Sequence, residues 1–167
     1  YSGKDKPINL HKYSSLVHGF SKKLKCKIIF EPGRSIIGDT GILLSKIQYI
    51  KKGAKKKFII LDTGMNDFMR PALYGANHKT LPAIKKNQIS KKIYEFVGPI
   101  CESTDKFTTL KKFQKLKEKD FVVMCDVGAY GMSLSSNYNL RPKALELLIK
   151  NSKIKVITKR QTYKSLL

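Results

Sequence analysis

The chain has 167 residues, of which 41% are hydrophobic and 10% aromatic, a composition that excludes a wholly disordered protein. No apolar run is long enough to span a bilayer, so we expect no membrane partner. The net charge of +22 suggests nucleic acid, but only four of the 34 cationic residues are arginine, the side chain that nucleic-acid readers favour. We therefore interpret the scattered lysines as a solvated surface without a specific nucleic-acid partner. A basic polyanion-binding module remains the alternative.

Apolar residues at helical spacing predict an amphipathic helix over residues 9–24. Residues 25–30 read as a short apolar strand that stops at a Pro-Gly turn, and residues 35–41 as a short helix. A helix followed by a strand and a charged turn is typical of the end of a βα unit. We predict that residues 1–36 are the last helix-strand unit of a truncated (β/α)8 barrel.

Shorter strands punctuated by glycine and proline predict a mainly β domain, a Greek-key sandwich or barrel, over residues 37–167. Residues 109–119 read as a polar connection, and residues 142–149 are compatible with a helix or a strand. The predicted strands lie at residues 42–50, 57–62, 93–97, 121–125 and 153–158.

The cysteine pattern indicates neither a disulfide framework nor a metal site. The odd number of cysteines argues against a disulfide framework, and the spacing of Cys26, Cys101 and Cys125 is not that of metal ligands. A reducing cytoplasm fits this pattern best.

Two motifs in the first half of the chain could bind anionic groups. Glu31-Pro32-Gly33-Arg34 follows a predicted strand, where a glycine lets the backbone approach a ligand, although an ordinary turn explains this tetrapeptide better when it is taken alone. Arg70 and Tyr74 flank a proline-stiffened turn and could together bind a carboxylate. A solvated surface arginine is the alternative for this second motif.

Two further motifs follow the predicted strands of the second half. Cys101 and Glu102 are adjacent after residues 93–97, and a neighbouring carboxylate disfavours the thiolate, so this thiol could donate a proton. A buried structural cysteine is the alternative. Tyr130 lies between glycines after residues 121–125, which leaves room for a flat ligand, or it is a tyrosine packed at a strand end.

In this order the four motifs resemble the diaminopimelate decarboxylases, within the pyridoxal-phosphate enzymes that are similar to alanine racemase and ornithine decarboxylase. The resemblance covers nearly the whole chain, including its last residues, 156–167. It implies pyridoxal 5'-phosphate as cofactor and the decarboxylation of meso-2,6-diaminopimelate to L-lysine and CO2. Ornithine decarboxylases are less similar, because they typically carry Cys-Asp-Gly where this chain has Cys101-Glu102-Ser103.

The resemblance also implies roles for the residues that would bind the cofactor. Glu31 matches the carboxylate that pairs with the pyridinium nitrogen. Pro32, Gly33 and Arg34 match the segment near the cofactor phosphate, and Arg34 also matches a ligand of a substrate carboxylate. Tyr130 matches a residue that contacts both cofactor and substrate.

The substrate-binding roles follow in the same way. Arg70 and Tyr74 match residues that hold the distal end of the substrate, which is not decarboxylated. Cys101 matches the proton donor, and Glu102 matches a residue that recognises the distal amino group. In the family this pair reaches the active site of the partner subunit, so the resemblance implies a homodimer.

The Schiff-base lysine and the glycine-rich phosphate loop of the family belong to a barrel half that this sequence lacks. A complete barrel needs roughly 250 residues. We therefore expect the chain to be a fragment that is inactive alone. A noncatalytic relative of the family is the remaining alternative.

Overall fold

The computed structural model describes residues 8–167, and its first helix, α1, spans Leu10–Leu24, as the apolar spacing predicts. The side chain of Asn9 begins this helix by accepting a hydrogen bond of 3.0 Å from the Lys12 amide. Lys25 ends it in the left-handed conformation, with a φ of 48°. Within the described part of the chain α1 buries none of its residues, so its apolar face is exposed.

The strand predicted for residues 25–30 is wrong, since residues 26–33 lie outside the helices and strands. A strand needs a hydrogen-bonded neighbour, and the strand pairs found between residues 8 and 167 begin only at Leu43. The predicted short helix is confirmed as α2, Arg34–Ile37, followed by a 3₁₀ turn. The barrel interpretation of residues 1–36 remains a prediction, and residues 1–7 lie outside the described part.

The strands are β1 Leu43–Lys52, β2 Lys56–Leu61, β3 Thr80–Pro82, β4 Ile93–Val97, β5 Lys106–Leu110, β6 Phe121–Met124, β7 Glu146–Lys150 and β8 Lys153–Thr158. Six of them form one sheet in the order β3-β6-β1-β2-β4-β5, and β7 and β8 form a separate hairpin, which confirms the predicted mainly β domain. The pair β2 and β4 is parallel, and the other pairs are antiparallel. A one-turn helix, α3, Arg70–Tyr74, lies between β2 and β3. The helices described here are too short or too polar to cross a lipid bilayer.

Aromatic side chains from the sheet and from the segment after β5 fill the core. The rings of Phe96 and Phe113 lie 5.4 Å apart, and Tyr94 packs edge-on against both. Phe96 is fully buried, and burying one side chain of this kind stabilises the fold by roughly 1.5–3 kcal/mol. This core anchors the strands from which the functional loops leave.

Candidate active site

Three loops that carry predicted site residues leave the same edge of the sheet. β2 and β4 are parallel, and β6 runs in the same direction because β2 and β6 both pair antiparallel with β1. The carboxyl ends of the three strands therefore share one edge. The loops that follow them lead to Arg70, Cys101 and Tyr130.

Arg70 packs against two tyrosine rings. Its guanidinium carbon lies 5.5 Å from the ring centroid of Tyr74 and 5.6 Å from that of Tyr130. Pro71 stiffens the start of α3, and Gly75 ends this helix with a φ of 60°, so the turn holds Arg70 and Tyr74 together. Arg70 is 9% exposed, whereas both tyrosines are well exposed. The alternative of a solvated surface arginine is therefore wrong, and the guanidinium instead packs against two aromatic rings.

His78 orients this arginine, and sequence reasoning missed it. The His78 Nε2 accepts a long hydrogen bond of 3.4 Å from Arg70 Nε, while its Nδ1 lies 3.0 Å from the carbonyl oxygen of Cys125. These contacts require a neutral ring with the proton on Nδ1. Burial lowers the pKa of His78, and the charge of Arg70 lowers it further. The sequence signals this role only by placing a histidine soon after Arg70.

Glycines bring the segment that contains Glu31 against Tyr130. A Cβ on Gly33 would lie 3.3 Å from the Tyr130 hydroxyl, so the two motifs meet there. The backbone at Gly128 lies so close to Ile37 that a Cβ would overlap its carbonyl oxygen. Tyr130 itself has a φ of 61°, a backbone conformation that residues other than glycine adopt only at a cost in free energy. Close backbone packing therefore presents the Tyr130 ring beside Gly33.

The donor set around this contact fits pyridoxal phosphate. Glu31, Pro32 and Arg34 are exposed, as is Gly33, and the absent Gly33 side chain leaves space beside the Tyr130 hydroxyl. A carboxylate suits a protonated ring nitrogen, a guanidinium suits a phosphate, and an aromatic ring packs against another flat ring.

Cys101 and Glu102 form a second exposed group at the sheet edge. The Glu102 carboxylate accepts a hydrogen bond of 2.5 Å from the Tyr138 hydroxyl, and this bond raises the pKa of Tyr138. Because the thiol is exposed, the alternative of a buried structural cysteine is wrong for Cys101. Among residues 8–167 no three His, Cys, Asp or Glu side chains gather as metal ligands would. The group offers a thiol and an oriented carboxylate.

Two open concavities of the described chain lie away from these motifs. One has a volume of about 620 Å³ and is lined by residues 89–93 with Lys111 and Lys112, and another of about 550 Å³ involves residues 86–88 and 115–117. Both are open and lysine-lined, and neither contains a predicted site residue. The chemistry of the exposed motifs therefore locates the candidate site better than the shape of this surface does.

Residues 12–128 match the family described as pyridoxal-dependent decarboxylase, C-terminal sheet domain. The chain belongs to the pyridoxal-dependent decarboxylases. It is 39% identical over 163 residues to a diaminopimelate decarboxylase from Aquifex aeolicus, covering 98% of this chain and 39% of that protein. It is 41% identical over 164 residues to a diaminopimelate decarboxylase from Helicobacter pylori, covering 97% of this chain and 40% of that protein.

Solved structures of the same decarboxylases share the fold. The Helicobacter pylori diaminopimelate decarboxylase complexed with L-lysine superposes with a TM-score of 0.89 at 40% identity, covering 99% of this chain and 40% of that one. The diaminopimelate decarboxylase from M. jannaschi superposes with a TM-score of 0.91 at 33% identity, covering 99% of this chain and 39% of that one. The chain thus spans about two fifths of the length of its relatives.

Proposed function

We propose that the chain supplies the sheet domain of a pyridoxal-phosphate-dependent enzyme that decarboxylates meso-diaminopimelate to L-lysine and CO2. The observation that carries the proposal is the placement of Arg70 between Tyr74 and Tyr130, with Gly33 beside the Tyr130 hydroxyl. The names of the relatives that match nearly the whole chain support it.

Residues of two segments would hold the cofactor. Glu31 would pair with the protonated ring nitrogen, Gly33 and Arg34 would lie near the phosphate, and Tyr130 would contact the ring. When bound, pyridoxal phosphate supplies an electron sink for the carbanion left by CO2. Glu31 supports that role because a carboxylate keeps the ring nitrogen protonated.

Arg70 would bind the substrate carboxylate that is retained in the product. A guanidinium can bind a carboxylate through two parallel hydrogen bonds, and the tyrosine rings limit its possible orientations. The neutral His78 acts as an acceptor for Arg70 Nε, which leaves other guanidinium N–H groups for the substrate. A substrate without this carboxylate would leave the buried cation unpaired, which is costly.

Cys101 and Glu102 would complete the site of a neighbouring subunit in a homodimer. The Cys101 thiol would donate a proton to the carbon from which CO2 has left, and Glu102 would accept a hydrogen bond from the distal ammonium group. Tyr138 holds the Glu102 carboxylate in one orientation. The thiol is exposed, as a group that serves a second subunit must be.

Large apolar side chains support a role within a larger assembly. Leu16 and Phe20 on α1 are 60% and 50% exposed, and Ile149 and Ile154 in the hairpin are 65% and 68% exposed. Contiguous exposed apolar surface of this kind is typical of surfaces that other polypeptide covers.

A chimaera tests the proposal. It joins the whole chain to the part of the Helicobacter pylori enzyme that the chain does not match. We expect the purified chimaera to bind pyridoxal phosphate and to release CO2 and L-lysine from meso-diaminopimelate. A chimaera that folds and binds the cofactor, yet leaves meso-diaminopimelate intact, would contradict the proposal.

Subunit mixing tests the shared site. Chimaeras carrying Glu31→Ala or Cys101→Ala are each expected to be nearly inactive, whereas a refolded mixture forms hybrid dimers with one intact site. About a quarter of the wild-type activity should return, because half of the dimers are hybrids with one working site of two. If the mixture stays as inactive as its components, Cys101 serves its own subunit or no site at all.

A further inference from the structure

A buried carboxylate joins two of the loops at the sheet edge. Asp105 Oδ1 accepts a hydrogen bond of 2.7 Å from the Met65 amide, and Oδ2 accepts one of 2.7 Å from the Ile100 amide. The Asp105 residue is only 3% exposed. One carboxylate therefore satisfies donors from two loops that are distant in sequence, after β2 and after β4.

The space for this carboxylate depends on Gly98. A Cβ on Gly98 would overlap both side-chain oxygens of Asp105. The backbone closes the same loop, because the Gly98 amide donates to the Asp105 carbonyl at 3.0 Å and the Asp105 amide donates to the Glu102 carbonyl at 3.1 Å. The segment between these two residues is thus held at both ends around the carboxylate.

The joined loops carry the two halves of the proposed chemistry. The first loop leads directly into Arg70, and the second contains Cys101 and Glu102. A third segment adds to this unit, because the Ser136 amide donates to the Asn66 carbonyl at 2.9 Å. In the proposed dimer Cys101 serves the neighbouring site and Arg70 serves the site of its own chain, so Asp105 joins a loop of one site to a loop of the other.

We propose that Asp105 is a positioning residue that fixes the Cys101-Glu102 loop to the segment carrying Arg70. It touches neither substrate nor cofactor and acts through the amides of Met65 and Ile100. Its effect on catalysis rests on the proposed function, whereas its coupling of the two loops is a property of this chain alone. The two consequences are therefore measured separately.

Amide hydrogen exchange on the full chain measures the coupling. In Asp105→Asn one carboxylate oxygen is replaced by an NH2 group, which donates, so one of the two backbone N–H groups loses its acceptor. We expect exchange at both Met65 and Ile100 to accelerate at least about tenfold, since hydrogen bonds to a charged acceptor are strong. Acceleration at Ile100 alone would overturn the proposal.

Asp120→Asn is the matched control. Asp120 also accepts a backbone hydrogen bond, from the Lys117 amide at 2.9 Å, but this bond lies within the turn before β6. The control should accelerate exchange at Lys117 and leave Met65 and Ile100 unchanged. If both variants accelerate exchange equally throughout the chain, Asp105 contributes only to global stability and the proposal fails.

Two further measurements cover the case in which Asp105→Asn does not fold. Gly98→Ala displaces the Asp105 carboxylate without removing it. We expect this variant to accelerate exchange at the Met65 amide, although Met65 belongs to the other loop. In the unmodified chain, the Met65 and Ile100 amides should show the same dependence of exchange on urea, as expected for one opening event. Different urea dependences would contradict the coupling.

The catalytic consequence is measured in the chimaera. We expect Asp105→Asn to lower kcat at least about tenfold, because misplaced groups lose much of their effect on the barrier, while Asp120→Asn stays near the parent value. A parent chimaera that folds and binds the cofactor but is inactive would refute the proposed function and leave the exchange data to decide the coupling. An active parent with an equally active Asp105→Asn variant would refute the positioning role.

Discussion

The guanidinium of Arg70 lies against the ring of Tyr130, with 5.6 Å between the guanidinium carbon and the ring centroid. The two residues follow β2 and β6, which run in the same direction and end at one sheet edge. This contact brings the residue proposed for the substrate carboxylate next to the residue proposed for the cofactor ring. The sheet topology thus explains how two motifs distant in sequence form one site.

Replacing the proposed proton donor tests the exposed thiol. In the chimaera, Cys101→Ala should lower kcat by about 10²–10⁴-fold, the usual contribution of a general acid. The absorbance of bound cofactor should not change, because Cys101 and the cofactor residues lie in separate groups. Cys26→Ala removes another exposed thiol and should retain the parent kcat. A Cys101→Ala variant as active as the control would exclude Cys101 as the donor.

Two glycine variants test the close packing that presents Tyr130. An added Cβ at Gly128 would overlap the Ile37 carbonyl oxygen, so Gly128→Ala should destabilise the chain by about 1–3 kcal/mol in urea unfolding. Gly19 lies within α1 with open space around it, so Gly19→Ala should stabilise the chain by about 0.5–1 kcal/mol. If both substitutions change the free energy of unfolding equally, the close packing at Gly128 does not stabilise the fold.

Burial of His78 predicts a pH dependence of stability. The pKa of His78 is lowered by burial in the folded chain, so the unfolded chain takes up a proton first as the pH falls below about 6.5. Stability should therefore fall as the pH falls from about 6.5 through the lower pKa of the folded state, and should be fully present above that window. The measurement is the urea midpoint at a series of pH values.

His78→Gln should flatten this dependence, because the variant lacks the titrating group. His18→Gln on the exposed face of α1 controls for the loss of a histidine that does not contact Arg70. A parent and a His78→Gln variant with parallel curves would indicate that His78 is not neutral in the fold.

Sequence patterns predicted the strands whose apolar residues dominate, and β4 and β8 were predicted with the bounds that the structure shows. They missed β3 and β5. β3 is three residues long and ends in proline, and β5 begins with a lysine and ends inside residues 109–119, which the sequence presents as a polar connection. Of the helix and the strand that are both compatible with residues 142–149, the structure shows a strand, β7, which begins at Glu146. A two-residue turn with positive φ at Asn151 and Ser152 joins β7 to β8.

The site could be predicted only where a motif lies within one loop. Arg70 with Tyr74, and Cys101 with Glu102, are neighbours in sequence, so local patterns indicate them as candidates. The contacts of His78 with Arg70 and of Tyr138 with Glu102 depend on the tertiary fold, so no local pattern indicated them. Asp105 likewise acts through amides of another loop.

Product inhibition of the chimaera tests the role of Arg70 most directly. L-Lysine retains the distal carboxylate. Cadaverine carries the same two amino groups on five carbons but lacks the carboxylate. Arg70→Ala should raise the inhibition constant of L-lysine at least about tenfold, since a hydrogen-bonded charge pair is lost. The inhibition constant of cadaverine should stay within about twofold, and Arg160→Ala, at an exposed arginine, should change neither constant. If Arg70→Ala weakens both inhibitors equally, Arg70 does not bind the carboxylate and the assignment of a dicarboxylic substrate is contradicted.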